Sequence, residues 1–380
     1  MNWDKWHQSL GSQPPALASV RKDKDSPLPR SPTEAAQNLA EYRYFKTVLR
    51  APPCGPDADE RICAEVAAFV PHAPKNILKF TDDEVAAACR AARSRTAMGV
   101  DGIHPCFLKN GGPAVHTSLA SLLRESWRLG VVPSSWKRAR GVALYKGKGD
   151  RADPGNYRLL SITSIVARTA ERVIKPRLLS QVDCRLATEQ SGFRQRRSTM
   201  DNVFRTVRAV YQAMVVSTSC LPCVFLDIAK AFDSVHHDSL LYKLNAIGVR
   251  DHMWWWIRGF LADRQLAIWG DGVTSEWFPV PAGVPQGSVL APILYAIFIN
   301  DLVGNIIEYE DCECCLFADD VNLWPKTRNE SGVEAVARCL DRITTWADTW
   351  RAVGKINATL SSSDEHVLTL ESKSDFWNLH

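Results

Sequence analysis

Apolar side chains recur three and four residues apart over 114–129, 163–182, 199–216, 289–302 and 333–352, a period that predicts helices with one buried face. An earlier start signal is sharper: Thr81-Asp82-Asp83-Glu84 reads as a capping box opening an alanine-rich helix that runs to Arg95. Among the helical stretches lie short apolar runs, GVALY (141–145), CVFLD (223–227), CCLF (314–317), VNLW (321–324) and HVLTL (366–370), which predict strands. Eight prolines between residues 13 and 56 predict a linker, interrupted by one helix around 33–50. No segment repeats, so a solenoid is excluded. The expected fold class is α+β, with helices packed on a sheet.

Composition narrows the class without naming a function. The 380 residues are 46% hydrophobic and 23% charged, as in a globular protein, and the net charge of +4 points to no particular partner. The most apolar stretch, 283–300, is broken by Pro285, Gln286, Gly287 and Pro292, so no membrane span is expected. The first residues, MNWDKWHQSLGSQ, lack a basic segment leading into an apolar one, so an intracellular location is expected. The 11 cysteines are odd in number and form no paired framework. Cys220 with Cys223, and Cys312 with Cys314 and Cys315, cluster without a second half for zinc, and read better as small buried apolar residues.

Asp319-Asp320 sits between two strand-like runs, predicting a hairpin with an acidic tip. Adjacent carboxylates repel unless a cation lies between them, which suggests a divalent metal site; a solvated turn is the competing reading. A third carboxylate, Asp227, ends the strand-like run 223–227. The segment Ala282-Gly283-Val284-Pro285-Gln286-Gly287-Ser288 is a Gly/Pro loop whose small residues admit a ligand close to the backbone. Lys146, Lys148 and Arg158 lie on turn-rich backbone where they could meet phosphate, against the plainer reading of a solvated basic hairpin.

Taken in order, these segments resemble the reverse transcriptase domain of non-LTR (LINE-type) retrotransposons. The resemblance runs through GVDGIHPCFLK (99–109), WKRARGVALYKGKGDRADPGNYRLLSITS (136–164), EQSGFRQRRSTMDNVF (189–204), FLDIAKAFDSVHHDSLLYKL (225–244), AGVPQGSVLAPILYAIFINDL (282–302) and FADDVNLW (317–324). A weaker W-x3-W pattern, Trp346 and Trp350, follows.

The resemblance implies an α+β right-hand polymerase fold of fingers and palm, with an antiparallel palm sheet packed on helices. It partitions the chain into a largely flexible linker (1–75), a helical N-terminal extension of the fingers (76–136), fingers (137–222), palm (223–360) and a short tail without a complete thumb (361–380). It implies that Asp227, Asp319 and Asp320, with the backbone carbonyl of Ile228, hold two Mg2+ ions, Mn2+ being a substitute. Lys146 and Arg158 match residues that hold the incoming triphosphate, with Lys148 as an alternative to Lys146. Phe232 matches the bulky position that excludes a ribose 2′-hydroxyl, and Gln286 and Gly287 match the loop beside the nascent base pair and template. Asp233, Asp301 and Asp311 have no such role and are expected at the surface or as caps. The triple Trp254-Trp255-Trp256 is expected in the core, and Arg194-Gln195-Arg196-Arg197 on nucleic-acid phosphate.

The implied partners are an RNA template, a DNA primer and dNTPs, with no membrane and protein partners unknown; the location is nucleus or cytoplasm, with nuclear action implied by the resemblance. Three departures open other readings: no endonuclease segment precedes, no thumb is expected to follow, and Leu360 stands where the family usually has a lysine. A remnant that only binds RNA or primer-template is one alternative, and an RNA-dependent RNA polymerase, disfavoured by Phe232, another. Charge is uneven: residues 136–208 hold 17 Lys or Arg against 6 Asp or Glu, so the small total conceals a basic segment suited to nucleic acid.

Overall fold

The computed structural model describes residues 20–22, 26–48, 56–68, 80–216, 221–228, 230–307, 312–326, 330–350, 356–361 and 367–370. Cys220, Asp311, the last ten residues and much of the expected linker lie outside the described residues. The strands, in chain order, are β1 Arg138–Tyr145, β2 Tyr157–Thr163, β3 Cys223–Ile228, β4 Gln265–Gly270, β5 Val273–Thr274, β6 Phe278–Pro279, β7 Cys312–Phe317, β8 Asp320–Pro325, β9 Ile356–Ser361 and β10 Val367–Leu370. Helices and strands mix as the α+β class requires, and no described helix is long and apolar enough to cross a membrane. The chain divides into two compact units: residues 1–51, 69–179 and 249–291 form one, and 52–68, 180–248 and 292–380 the other.

The first unit is built on a sheet ordered β2-β1-β4-β5, with β6 also paired to β4. β1 runs antiparallel to β2, from Ala139↔Thr163 to Tyr145↔Tyr157, and parallel to β4. The helix Pro32–Val48 lays Ala35, Ala36, Leu39 and Ala40 against Ala139, Ala143, Leu159, Leu266 and Ile268, small side chains letting helix and sheet approach closely. Pro32 and Pro56 each open a helix, Pro32–Val48 and Pro56–Ala68, because the first helical residue needs no N–H partner.

The capping box forms as expected: Thr81 Oγ1 accepts the Glu84 N–H at 3.1 Å and Glu84 Oε2 accepts the Thr81 N–H at 2.9 Å. Its helix, Asp82–Arg90, stops short of Arg95 because the Ala92 N–H turns back to Cys89 O. Glu84 also pairs with Arg177, whose guanidinium lies 4.6 Å from the centre of the Phe80 ring. Trp254 and Trp256 are buried, the latter donating to Ser126 Oγ at 3.1 Å, so the tryptophan run packs the core.

The second unit holds an antiparallel sheet ordered β10-β9-β3-β8-β7, with β3 central. Val224, Leu226, Ile228, Val321 and Leu323 are buried alternate positions, and the helix Ala291–Ile307 is apolar on nearly every side. Cys223 and Cys315 join Trp324 and Leu221 in a small apolar cluster, and Cys312 and Cys314 are buried too, as small hydrophobes would be.

Lys243 is buried in this unit. Its Nζ donates to Phe298 O at 2.7 Å and pairs with Asp301 Oδ1 at 2.6 Å, under the rings of Trp346 and Trp350 at 4.5 and 4.1 Å. Asp301 also accepts from Trp346 Nε1 at 2.9 Å; its side chain stays partly exposed, as expected of a surface residue, and is in addition the counter-charge of a buried lysine.

Burial, opposed by Asp301, pushes the Lys243 pKa down to about 8. The folded value lies below the unfolded one, about 10.4, so between the two the unfolded chain binds more protons and stability rises with pH. Buried thiols act in the opposite sense, Cys223 being pushed up to about 11, so the comparison must isolate the lysine. Relative to Lys243→Met, the parent gains stability as pH rises from about 8 towards 10.4; urea midpoints of both proteins across that range check this, and parallel curves would refute it.

Candidate active site

β7 and β8 are joined by a two-residue loop, Ala318-Asp319, with Phe317 and Asp320 as the closing pair. Ala318 has a φ of 60°, which such a tight hairpin loop demands and which ordinarily selects glycine; in alanine it costs about 1–2 kcal/mol. On the other side of β8, Asp320 stands directly opposite Asp227 of β3, and Asp227 in turn stands opposite Asn357 of β9. Paired residues share one face of a sheet, so two carboxylates of like charge are held as cross-strand neighbours. Burial and the charge of Asp227 raise the Asp320 pKa.

A buried tyrosine, Tyr295, feels the charge of this group. Burial, then Asp319, Asp227 and Asp320 in that order, drive the Tyr295 hydroxyl well above its ordinary pKa, so all three carboxylates act on one ring. Phe232 stacks on Tyr295, centroids 5.0 Å apart and planes 19° apart, and meets the edge of Phe193 at 6.0 Å. The turn carrying Phe232 begins at Lys230 with φ 56°, and Lys230 O accepts the N–H groups of Asp233 and Ser234. Asp227, Asp319, Asp320, Ile228 and Phe232 thus all lie in the second unit. Tyr295 escaped sequence reading because one tyrosine in an apolar helix reads as core.

Lys146, Lys148, Arg158, Gln286 and Gly287 belong to the first unit. Register sets Tyr145 opposite Tyr157 at the loop end of the β1–β2 hairpin, with Lys146 just beyond that pair and Arg158 opposite Leu144, and both cationic residues are exposed. Lys146 Nζ donates to Gly155 O at 2.9 Å, while Lys148 is exposed in the connecting loop. That loop is ordered by its own bonds: Asn156 Nδ2 to Asp150 O at 2.9 Å, Tyr157 hydroxyl to Arg151 O at 2.7 Å, and the Tyr145 hydroxyl to Gly149 O.

The loop bearing Gln286 and Gly287 is tied at both ends. Gln286 O accepts the Ser161 N–H at 2.7 Å, and Gly287 has φ 111° with room for a Cβ only 3.0 Å from Ser161 O. Beyond it, Glu171 Oε2 takes the N–H groups of Val289 and Leu290 at 2.6 and 2.9 Å. Glu171 is fully buried, which raises its pKa; the Arg264 charge works against that rise, and burial in turn lowers Arg264 to about 10. Neither was singled out from the sequence, since a Glu and an Arg far apart in the chain carry no local signal.

One expectation is corrected. The Arg194 side chain is nearly buried, donating to Asp183 O at 2.8 Å and Ala187 O at 2.7 Å and pairing with the Asp183 carboxylate at 3.2 Å, so it holds its own loop rather than reaching phosphate.

The donor set suits a hard divalent cation: carboxylate oxygens, two of them forced together, with Asp320 shifted by its neighbour. Among the described residues, no three His, Cys, Asp or Glu side chains already converge on one point, so an ion would draw the carboxylates inward.

The pattern that defines the reverse transcriptase (RNA-dependent DNA polymerase) family matches residues 146–358, more than half the chain. The chain is 31% identical over 247 residues to the RNA-directed DNA polymerase from mobile element jockey of Drosophila melanogaster, covering 63% of this chain and 26% of that protein. The jockey polymerase of Drosophila funebris is 31% identical over 248 residues, again 63% of this chain and 26% of its own length. A 115 kDa protein ascribed to type-1 retrotransposable element R1DM of Drosophila melanogaster is 30% identical over 294 residues, 76% of this chain and 27% of its own length. The chain therefore spans about a quarter of the length of these relatives.

Removing one charge from the facing pair relieves repulsion. In metal-free buffer Asp227→Asn is expected to be more stable than the parent by ~0.5 kcal/mol, and to lose the stabilisation that Mg2+ confers on the parent. Urea unfolding in EDTA and in Mg2+ measures both; a variant weaker than the parent in EDTA would show that the pair does not repel.

Proposed function

Because the chain belongs to the reverse transcriptase family, we propose that it adds dNMP from a dNTP to the 3′ end of a DNA primer paired with an RNA template. The observation that carries this reading is the pairing of Asp227 opposite Asp320, with Asp319 beside it at the hairpin tip, inside the matched segment. Asp227, Asp319 and Asp320, with the Ile228 carbonyl, would hold two Mg2+ ions, with Mn2+ as a substitute. When bound, such ions acidify the primer hydroxyl and neutralise charge on the triphosphate during transfer.

The protein's own part is placement. β3 lies between β8 and β9, which fixes Asp227 on a paired backbone. Arg158 and Lys146 supply fixed positive charge for the triphosphate, and the Lys146 ammonium would exchange the neutral carbonyl of Gly155 for a charged oxygen. Lys148 serves if the loop presents it instead. Phe232, held between Phe193 and Tyr295, supplies a rigid ring against a ribose 2′-hydroxyl. The bare backbone at Gly287 leaves room for a base pair or template beside Gln286.

In this reading residues 137–222 act as fingers and 223–360 as palm of a right-hand fold, with 76–136 a helical extension of the fingers, and the chain works inside the cell, in nucleus or cytoplasm.

Primer extension on an RNA template with the purified chain tests the proposal. Asp319→Ala is expected to lower the rate roughly a thousandfold, and unchanged extension would remove the assignment. Phe232→Ala is expected to narrow the preference for dNTP over rNTP by roughly ten- to a hundredfold, read from the ratio of kcat/KM values. An unaltered ratio would leave Phe232 a packing residue.

A further inference from the structure

The acidic turn does not hold its own shape. Ala318 must keep φ at 60°, and its N–H falls at the hairpin tip, beyond the last ladder pair, Phe317↔Asp320. That N–H is taken by the side-chain carbonyl of Gln190, 3.2 Å away. The same oxygen accepts the Gly192 N–H at 2.7 Å, so one buried amide joins the turn to the segment lying beside it. Two backbone bonds brace that segment along β7: Leu316 N–H to Glu189 O at 2.9 Å and Ser191 N–H to Leu316 O at 2.8 Å.

Contact is close enough that residue 192 must lack a side chain, because a Cβ there would sit 2.3 Å from Ala318 N. The next residue, Phe193, packs its edge on Phe232. Residues 189–193 therefore touch both the acidic turn and the aromatic ring proposed to select the sugar.

We propose that Gln190 is a positioning residue: by accepting the Ala318 N–H it holds the turn in the one shape that presents Asp319 and Asp320 to substrate and metal. This rests on the reading of those two carboxylates as the groups of nucleotidyl transfer. Gln190 touches neither carboxylate in this role; it acts through the backbone between them and β7. The acceptor is the working atom, because the amide nitrogen of Gln190 is buried without a hydrogen-bond partner. A carboxyl oxygen of Glu at this position offers the same kind of acceptor to the Ala318 N–H.

The test compares Gln190→Met, which keeps the volume and loses the acceptor, with Gln190→Glu, which keeps it, both in the full chain. Three quantities are read: amide hydrogen exchange over residues 312–325, the Mg2+ concentration giving half-maximal thermal stabilisation, and kcat and KM for dNTP in primer extension. Gln190→Met is expected to speed exchange at the turn at least tenfold, raise the half-maximal Mg2+ concentration severalfold and lower kcat about tenfold, with KM for dNTP unchanged within twofold. Gln190→Glu is expected to recover each value to within about threefold of the parent. Adding Ala318→Gly, which accepts φ of 60° without a clamp, is expected to restore part of the exchange protection lost in Gln190→Met.

The proposal is overturned if Gln190→Met leaves exchange and kcat as in the parent, or if Gln190→Glu is as impaired as Gln190→Met. Should Gln190→Met fail to fold, Gln190→Asn, an amide too short to reach Ala318, takes its place with the same criteria. Asp319→Asn run in parallel separates the two claims: full activity there defeats the carboxylate reading, while turn exchange still decides the clamp.

Discussion

Two carboxylates are held opposite one another by strand register, and much of the second unit serves to keep them there. Asp227 and Asp320 would separate if β3 and β8 could slip. A one-residue slip would turn Val224, Leu226 and Val321 out of the core, so apolar burial on one face enforces electrostatic repulsion on the other. Each of those side chains contributes about 1.5–3 kcal/mol by burial, well above the ~0.2–1 kcal/mol at stake in a cross-strand charge pair. The site is thus stressed by design of the sheet, and the stress is of the kind a cation relieves.

The same logic recurs where the chain must hold an unusual shape. Ala318 adopts a glycine-like φ because neighbouring backbone and the Gln190 amide over-determine it. In the first unit, the fully buried Glu171 carboxylate holds the N–H groups that follow the Gly-Val-Pro-Gln-Gly loop. Lys243 is a third case, a buried charge tolerated because Asp301, the Phe298 carbonyl and the faces of Trp346 and Trp350 replace its water. In each, a polar group in a dry place is bonded on the side that matters, and the loop, turn or helix it holds loses alternative conformations.

Charge along the chain proved a poor guide to charge at the surface. Within the basic segment 136–208, Arg194 is tied to Asp183 and nearby carbonyls, Arg168 reaches Ala97 O at 2.8 Å, and Arg177 pairs with Glu84. These guanidiniums brace loops and caps, so the excess of positive charge read from the sequence is only partly free at the surface. Lys148 and Arg158 remain exposed beside a loop ordered by its own backbone and tyrosine hydroxyls, and Lys146, also exposed, bonds the loop carbonyl of Gly155.

What the sequence alone determined was local. Helices such as Thr199–Val216 and Ile165–Val182, the capped start at Thr81, and β1, β3, β7 and β8 were legible because periodicity, caps and apolar runs are written in consecutive residues. The carboxylates were legible for the same reason: Asp is out of place beside a strand unless it has work to do. β2, β4 and β9 were missed, since short mixed strands earn their state from partners 12 to over 100 residues away, as β1 does for β4 and β3 for β9. The tertiary structure alone decided that Asp227 faces Asp320, that Phe232 stacks on Tyr295, that Asp301 answers Lys243, and that Gln190 reaches Ala318. Those pairings depend on register and burial, which long-range packing sets and which no window of neighbouring residues contains.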